Sequence, residues 1–348
     1  MKLKHLALLS LFAAAGLIAR SDQPNVIFIL ADDLGIGDVG AFGQETIPTP
    51  RIDDMAAEGM KFTSFYSSAA VCAPARGSLM TGKHTGQNTN RGNLWVDGVG
   101  VLPLGEDDIT IPEALEGSGY VTGLCGRWHL GGEMSDQQPL DNGFDYHFGK
   151  LSSLHRNKGG VLIDRLWDED GEHVDRETYA AMMFEPMYEN GELYDIEEEY
   201  EHMRPINMDE IVTAKAIEFI EDHRDDPFFL YVAYSLVHAP MEYLAETAMT
   251  EAEGDWPQEE KDFASMLRFL DMLVGRILDA VDANGLGEDT LVIFTSDNGP
   301  HLEDGHDADF FDSNGDWKGY KRDLDEGGIR MPTIMRWTNT ASAGGESD

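Results

Sequence analysis

Cysteine, basic residues and long apolar runs are all scarce in this chain, and each shortage narrows what it can be. Two cysteines in 348 residues, Cys72 and Cys125, cannot build a disulfide scaffold. Lys and Arg number 25 against 65 Asp and Glu, a net charge of −40. A field of that sign repels nucleic acid and anionic membrane surfaces, so neither is expected as a partner. The acid excess itself reads as a solvated surface suited to saline surroundings. One apolar run, Leu6 to Ala19, follows Lys2, Lys4 and His5 and is short for a bilayer span. Residues 1–20 therefore read as an export signal, sending the protein to the periplasm or out of the cell. Arg20 stands where a lipoprotein would carry cysteine, so no stable membrane anchor is expected. No internal repeat or low-complexity tract is visible.

What is present is a set of short apolar runs that end in polar residues. Asn25–Leu30 runs into Asp32-Asp33, and Tyr120–Cys125 into Arg127-Trp128-His129. Phe228–Tyr234 leads towards His238, and Leu291–Thr295 into Asp297-Asn298-Gly299. Near-continuous hydrophobic strands of this kind belong in a sheet buried on both faces. Helical patterns lie between them: Thr110 with Glu113 forms a capping-box pair, and Met208 to about Asp222 is amphipathic, with Ile211, Ala214, Ile217 and Phe219 as candidate core positions. A longer helix is predicted from about Lys261 to Asp282, ending near Gly285. The alternation predicts an α/β fold with a mostly parallel central sheet flanked by helices, and ligands beyond the carboxyl ends of the strands. Residues 150–205 break the rhythm as a variable acidic insert whose Trp167, Tyr179, Tyr188, Tyr194 and Tyr200 either stack on sugar rings or pack the insert onto the domain.

The polar residues at those strand ends carry the chemistry. Asp32-Asp33 or Asp297-Asn298-Gly299 alone is no more than a turn; together they offer four oxygen-bearing side chains, the donor type that hard divalent cations prefer. Cys72-Ala73-Pro74-Ala75-Arg76-Gly77 opens a stretch from Pro74 to Gly82 that reads as a helix, whose N-terminal amides favour an anion. Gly126-Arg127-Trp128-His129-Leu130-Gly131, then His238-Ala239-Pro240, then Lys318-Gly319-Tyr320-Lys321 before Glu326-Gly327-Gly328-Ile329-Arg330-Met331-Pro332, follow in order.

The order and spacing of these six motifs, over roughly residues 24 to 338, resemble the type I, formylglycine-dependent sulfatases, arylsulfatase-like members of the alkaline phosphatase superfold. The resemblance implies that a maturase oxidises Cys72 to Cα-formylglycine, whose hydrate is the nucleophile. It implies a Ca²⁺ site of Asp32, Asp33, Asp297, Asn298 and residue 72, with Arg76 stabilising the hydrate. His129 would assist loss of the second hydroxyl proton, His238 would protonate the leaving oxygen, and Arg127 with Lys321 would hold the sulfate. Arg127 departs from the family's usual lysine: it keeps the charge but replaces a point charge with a planar fork. Lys318 falls where another basic residue is common, and His301 is placed to read a substrate hydroxyl or carboxylate. The implied substrate is a sulfated carbohydrate or an aryl sulfate, handled by a catalytic domain over residues 21–348. Against the resemblance, the smaller C-terminal domain of the family is expected to be missing. Two other readings stay open: a phosphoesterase or phosphonate monoesterase of the same superfold, and a non-catalytic sulfated-glycan-binding protein with Cys72 unconverted.

Overall fold

A computed structural model of the chain describes residues 23–96, 100–132, 135–151, 186–194, 208–241, 244, 246–249, 254–338 and 340–348. The strands, in chain order, are β1 (Asn25–Ala31), β2 (Met60–Phe62), β3 (Trp95–Val96), β4 (Gly100–Val101), β5 (Val121–Gly126), β6 (Tyr146–Gly149), β7 (Tyr188–Glu189), β8 (Glu192–Leu193), β9 (Phe228–Ala233), β10 (Thr290–Ser296), β11 (Thr333–Arg336) and β12 (Gly345–Ser347). The helices that matter to the site are α1 (Pro50–Glu58), α2 (Cys72–Thr81), α3 (Ile111–Leu115), α4 (Met208–Asp222) and α5 (Gln258–Ala283).

Among the described residues, ten strands form one sheet in the order β12-β2-β11-β10-β1-β9-β5-β6-β7-β8. Its centre, β10-β1-β9-β5-β6, is parallel throughout, and antiparallel partners flank it on both sides. The central strands alternate between two cores. In β9, Phe228, Leu230 and Val232 join the larger cluster with α4 and α5, while Phe229, Tyr231 and Ala233 face Leu104, Trp128 and Phe144 on the other side. Both faces are covered, so a continuous apolar run is the only composition that fits. Each such side chain contributes about 1.5–3 kcal/mol by leaving water.

Thr110 caps α3 by accepting from the Glu113 N–H, while the Glu113 carboxylate accepts from the Thr110 N–H at 2.8 Å. In α4 the buried stripe is Ile211, Val212, Ala216, Phe219 and Ile220. Ala214 and Ile217 are only half-buried, so the inward face is rotated from the one the sequence suggested. The α5 helix runs three residues further at its start than predicted, and Gly285 turns the chain at its end with φ +67°.

The predicted export segment lies outside the described residues, as do Trp167, Tyr179 and Tyr200. Tyr194, offered as a sugar-stacking candidate, instead packs edge-on against Phe148 at 5.0 Å with the Lys215 ammonium 5.4 Å from its ring. Tyr188 is half-buried in the β7–β8 hairpin that extends the sheet edge. No helix among the described residues is long and apolar enough to cross a membrane.

Candidate active site

Strand register brings the polar residues together. Ala31 pairs with Ser296, Leu30 with Ala233, and Gly126 with Ala233, so the four central strands stop level with one another. The next residues of each strand therefore emerge at one edge, where an open α/β sheet binds its ligands. The turns are tight. Asp33 (φ 62°) and His129 (φ 59°) both occupy the left-handed region, at a cost of about 1–3 kcal/mol each that the surrounding structure must offset. Gly126 is required where it is: at φ 121°, a Cβ there would lie 2.0 Å from the Ala233 carbonyl oxygen. That close approach lets the Arg127 N–H donate to the same carbonyl at 2.8 Å, which aims the Arg127 side chain at the site.

Residue 72 is the first residue of α2, two positions earlier than the helix was read from the sequence. Pro74 is tolerated in that first turn because its nitrogen would have no helical partner anyway. The cap position, Val71, provides no side-chain hydrogen bond, so the positive end of α2 points at the site. Cys72 Sγ lies 3.4 Å from Asp32 Oδ1 and 3.9 Å from Asp33 Oδ1. Burial and the Asp32, Asp297 and Asp33 carboxylates push the thiol well above its usual range. A thiolate nucleophile is therefore disfavoured here at neutral pH.

Buried cations interleave with the carboxylates. The fully buried Arg76 donates to Asp297 Oδ2 through Nε (2.9 Å), to Asp32 Oδ2 (2.9 Å) and to the Arg127 carbonyl (2.9 Å). Arg127 also bonds Asp32 Oδ2. Burial alone would raise the Asp32 carboxyl, but Arg127 and Arg76 outweigh it and hold Asp32 well below the carboxylate range. Lys321 Nζ donates to Asp33 Oδ2 at 2.7 Å and to Glu303 Oε2 at 3.0 Å. Burial would depress that ammonium, yet Asp33 and the other neighbouring acids raise it.

His238 shows which ring nitrogen faces the pocket. Its Nδ1 bonds the Ala239 carbonyl, which can only accept, so Nδ1 carries the proton. Nε2 is left to accept from Lys321 Nζ at 3.1 Å. Burial and the Lys321 charge push His238 down to about 3. Burial, with Arg127 and Arg76 nearby, likewise holds His129 well below its usual range, and both its ring nitrogens are buried without a partner.

The donor set could hold a metal ion. Ligand atoms of Asp32, Asp33, Cys72 and His238 all lie within 4.8 Å of one another. Asn298 donates to Asp33 Oδ1 at 2.6 Å and leaves its own buried Oδ1 without a partner. Asp297 lies alongside, committed to Arg76 through Oδ2 and accepting the Asp33 N–H at 3.2 Å through Oδ1. An unsatisfied amide oxygen among carboxylates is what an oxygen-seeking divalent ion would complete.

One expectation is corrected. His301 is wholly buried, bonding the Val237 carbonyl and the Glu303 N–H, and does not face a substrate. Lys318 is turned to solvent and paired with Asp325 at 2.7 Å. Two contributors were missed. Glu303 pairs with both Lys321 and Arg322, and although burial opposes it, Lys321 and His238 pull it down to about 2. Asp209 accepts the N–H groups of Ser235 and Leu236 at 2.8 and 2.9 Å, pinning the segment before His238. The faint signal for Glu303 was an acid two residues beyond His301 in a loop otherwise tied to the site.

Comparison with known proteins agrees with this geometry. The sulfatase family profile matches residues 24–347. Mouse (Mus musculus) arylsulfatase G is 35% identical over 354 residues, covering 93% of this chain and 62% of its own length. The chain thus spans about three-fifths of that relative. The crystal structure of Ps i-CgsB in complex with k-i-k-neocarrahexaose superposes with a TM-score of 0.76 at 28% identity, over 93% of this chain and 68% of that one. The PsFucS1 sulfatase from Pseudoalteromonas sp. gives 0.68 at 28% identity, over 93% and 64%. With a family match over nearly its whole length and a mixed α/β sheet whose strand ends carry the site, this chain belongs to the sulfatase family.

Proposed function

We propose that the protein hydrolyses sulfate esters of carbohydrates, at a site where residue 72 is converted to formylglycine and Ca²⁺ is bound. The observation that carries this reading is the position of residue 72: first in α2, 3.4 Å from Asp32, with three buried cations around the same carboxylates. Formylglycine at position 72 would supply, as its hydrate, a hydroxyl nucleophile for sulfur. Ca²⁺ held by Asp32, Asp33 and Asn298, with Asp297 alongside, would supply fixed positive charge beside the sulfate oxygens.

The chain's own residues account for the rest. Lys321 and Arg127 hold the sulfate; Arg127 offers a buried Nε with no partner. Arg76 stabilises charge at position 72 and helps keep Asp32 ionised, and it opposes the burial that pushes the Asp297 carboxyl up to about 7. An anionic sulfate beside His238 offsets the Lys321 charge that, after burial, depresses it, and once Nε2 has taken up a proton it delivers that proton to the leaving oxygen. His129, neutral and with unpartnered nitrogens, accepts a proton from the hydroxyl at position 72. The oligosaccharide bound to Ps i-CgsB supports a sulfated carbohydrate as substrate. The −40 charge favours short oligosaccharides over long polyanions, with salt assisting their approach.

Sulfate release from sulfated oligosaccharides, aryl sulfates and matched phosphate or phosphonate esters is the test. Turnover should be highest on the oligosaccharides, be lost on chelation and return with Ca²⁺ more than with Zn²⁺. A higher kcat/KM for the aryl sulfate overturns the carbohydrate assignment. Preference for the phosphorus esters with Zn²⁺ moves the protein to a phosphoesterase. Binding of sulfated glycans without release, on an unconverted Cys72, makes it a binding protein.

A further inference from the structure

We propose that His301 is a positioning residue: a single neutral imidazole ties the backbone of the segment bearing His238 to the backbone of Glu303, and so fixes His238 and Lys321 against each other. Its Nε2 lies 3.1 Å from the Val237 carbonyl, and the Glu303 N–H reaches its Nδ1 at 3.0 Å. A carbonyl can only accept and a backbone N–H can only donate, so the ring is the Nε2–H tautomer with a lone pair on Nδ1. Neither nitrogen is left for substrate.

The two bonds close a circuit. From Val237 it passes through His301 to Glu303, whose Oε2 accepts from Lys321 Nζ at 3.0 Å. Lys321 Nζ reaches His238 Nε2 at 3.1 Å, and the peptide bond returns from His238 to Val237. The Lys321 N–H also donates to the carbonyl of Pro300, next to His301, at 2.8 Å. The imidazole cannot swing out of this circuit. Its edge meets Phe263 at 6.5 Å (72°) and it lies 5.3 Å from His306. His306 is stacked on Phe263 at 4.1 Å and bonded to Glu260 at 2.8 Å. Helix α5 thereby sets the orientation of a ring that sets the orientation of the proton donor, and a misaimed donor should matter most when the leaving group needs its proton most.

The inference rests on the sulfate-ester reading, and the experiment separates the two. The full chain, converted at Cys72 and supplied with Ca²⁺, is assayed on aryl sulfates spanning a range of phenol acidity. No turnover by the wild type on these or on sulfated oligosaccharides sinks that reading and the inference with it, and turnover of oligosaccharides alone moves the decision to the ¹⁵N shifts of His301. With an active wild type, His301→Phe should lose about 100-fold in kcat/KM on the least acidic phenols and no more than about 3-fold on the most acidic, steepening the leaving-group dependence. His301→Gln, which keeps one donor and one acceptor, should restore the wild-type slope. Uniform losses across the series, no loss, or a Gln slope as steep as that of Phe overturns the proposal. Should the Phe variant not fold, ¹⁵N shifts of His301 in the wild type decide: a proton on Nδ1 excludes the bridging role, and a proton on Nε2 with an unprotonated Nδ1 supports it.

Discussion

Replacing Cys72 by alanine should reduce sulfate-ester turnover by on the order of 10⁴–10⁶-fold, while leaving the melting temperature nearly unchanged. The two effects separate because residue 72 contributes little to the core. Its side chain is small, sits at the head of α2 and faces carboxylates rather than apolar neighbours. The thiol itself is a poor nucleophile here: burial and the three acids around it oppose ionisation. Cys72→Ser sharpens the point. One hydroxyl can attack sulfur once, but no second hydroxyl is present to drive release, so the variant should turn over at most once per molecule. Multiple-turnover kinetics, with mass spectrometry of the peptide around position 72, check both. Sustained turnover by either variant removes the formylglycine mechanism.

Much of this site was legible because its residues sit directly after apolar runs. The runs Asn25–Leu30, Tyr120–Cys125, Phe228–Tyr234 and Leu291–Thr295 correspond to β1, β5, β9 and β10 within a residue at each end. A strand buried on both faces leaves a continuous signature, and a parallel sheet delivers its next residues to one edge. The flanking strands β2, β7, β8 and β12 are two or three residues long, too short for any periodicity to register. Residues that act through backbone were equally hard to see. Asp209, in the first turn of α4, reads as a favourable acid at a helix N-terminus, yet it holds amides 26 and 27 residues further on. His301 reads as an imidazole placed to contact a substrate hydroxyl or carboxylate. Only the placement of Phe263 and His306 on its flanks, and of the Val237 carbonyl beyond it, shows that both nitrogens are spent internally.

Arg76→Ala should be the most destabilising substitution in the site, costing about 3–5 kcal/mol as well as activity, because it strips a buried guanidinium from two buried carboxylates. The loss will fall unequally. Asp32 keeps Arg127, whereas Asp297 loses the cation that binds its Oδ2 through both Nε and a terminal nitrogen. Arg76→Lys keeps the charge but not the fork. A lysine ammonium cannot reach Asp32, Asp297 and the Arg127 carbonyl from one plane, so the variant should fall between wild type and alanine. The pH dependence identifies the cause. In the wild type burial already raises the Asp297 carboxyl to about 7 although Arg76 opposes it, and in the alanine variant loss of that cation raises it further above its unfolded value. The folded state then binds more protons than the unfolded state, and stability falls as pH rises through that range. In the wild type, Arg127 and Arg76 hold Asp32 below its unfolded value, so that contribution is present at neutral pH and is lost only on acidification. The gap in melting temperature between the two proteins should therefore be widest near neutral pH and narrow towards pH 5. Thermal melts across that interval measure it. A gap that stays constant or widens on acidification would mean that Arg76 acts through packing rather than as the counter-charge of Asp32 and Asp297.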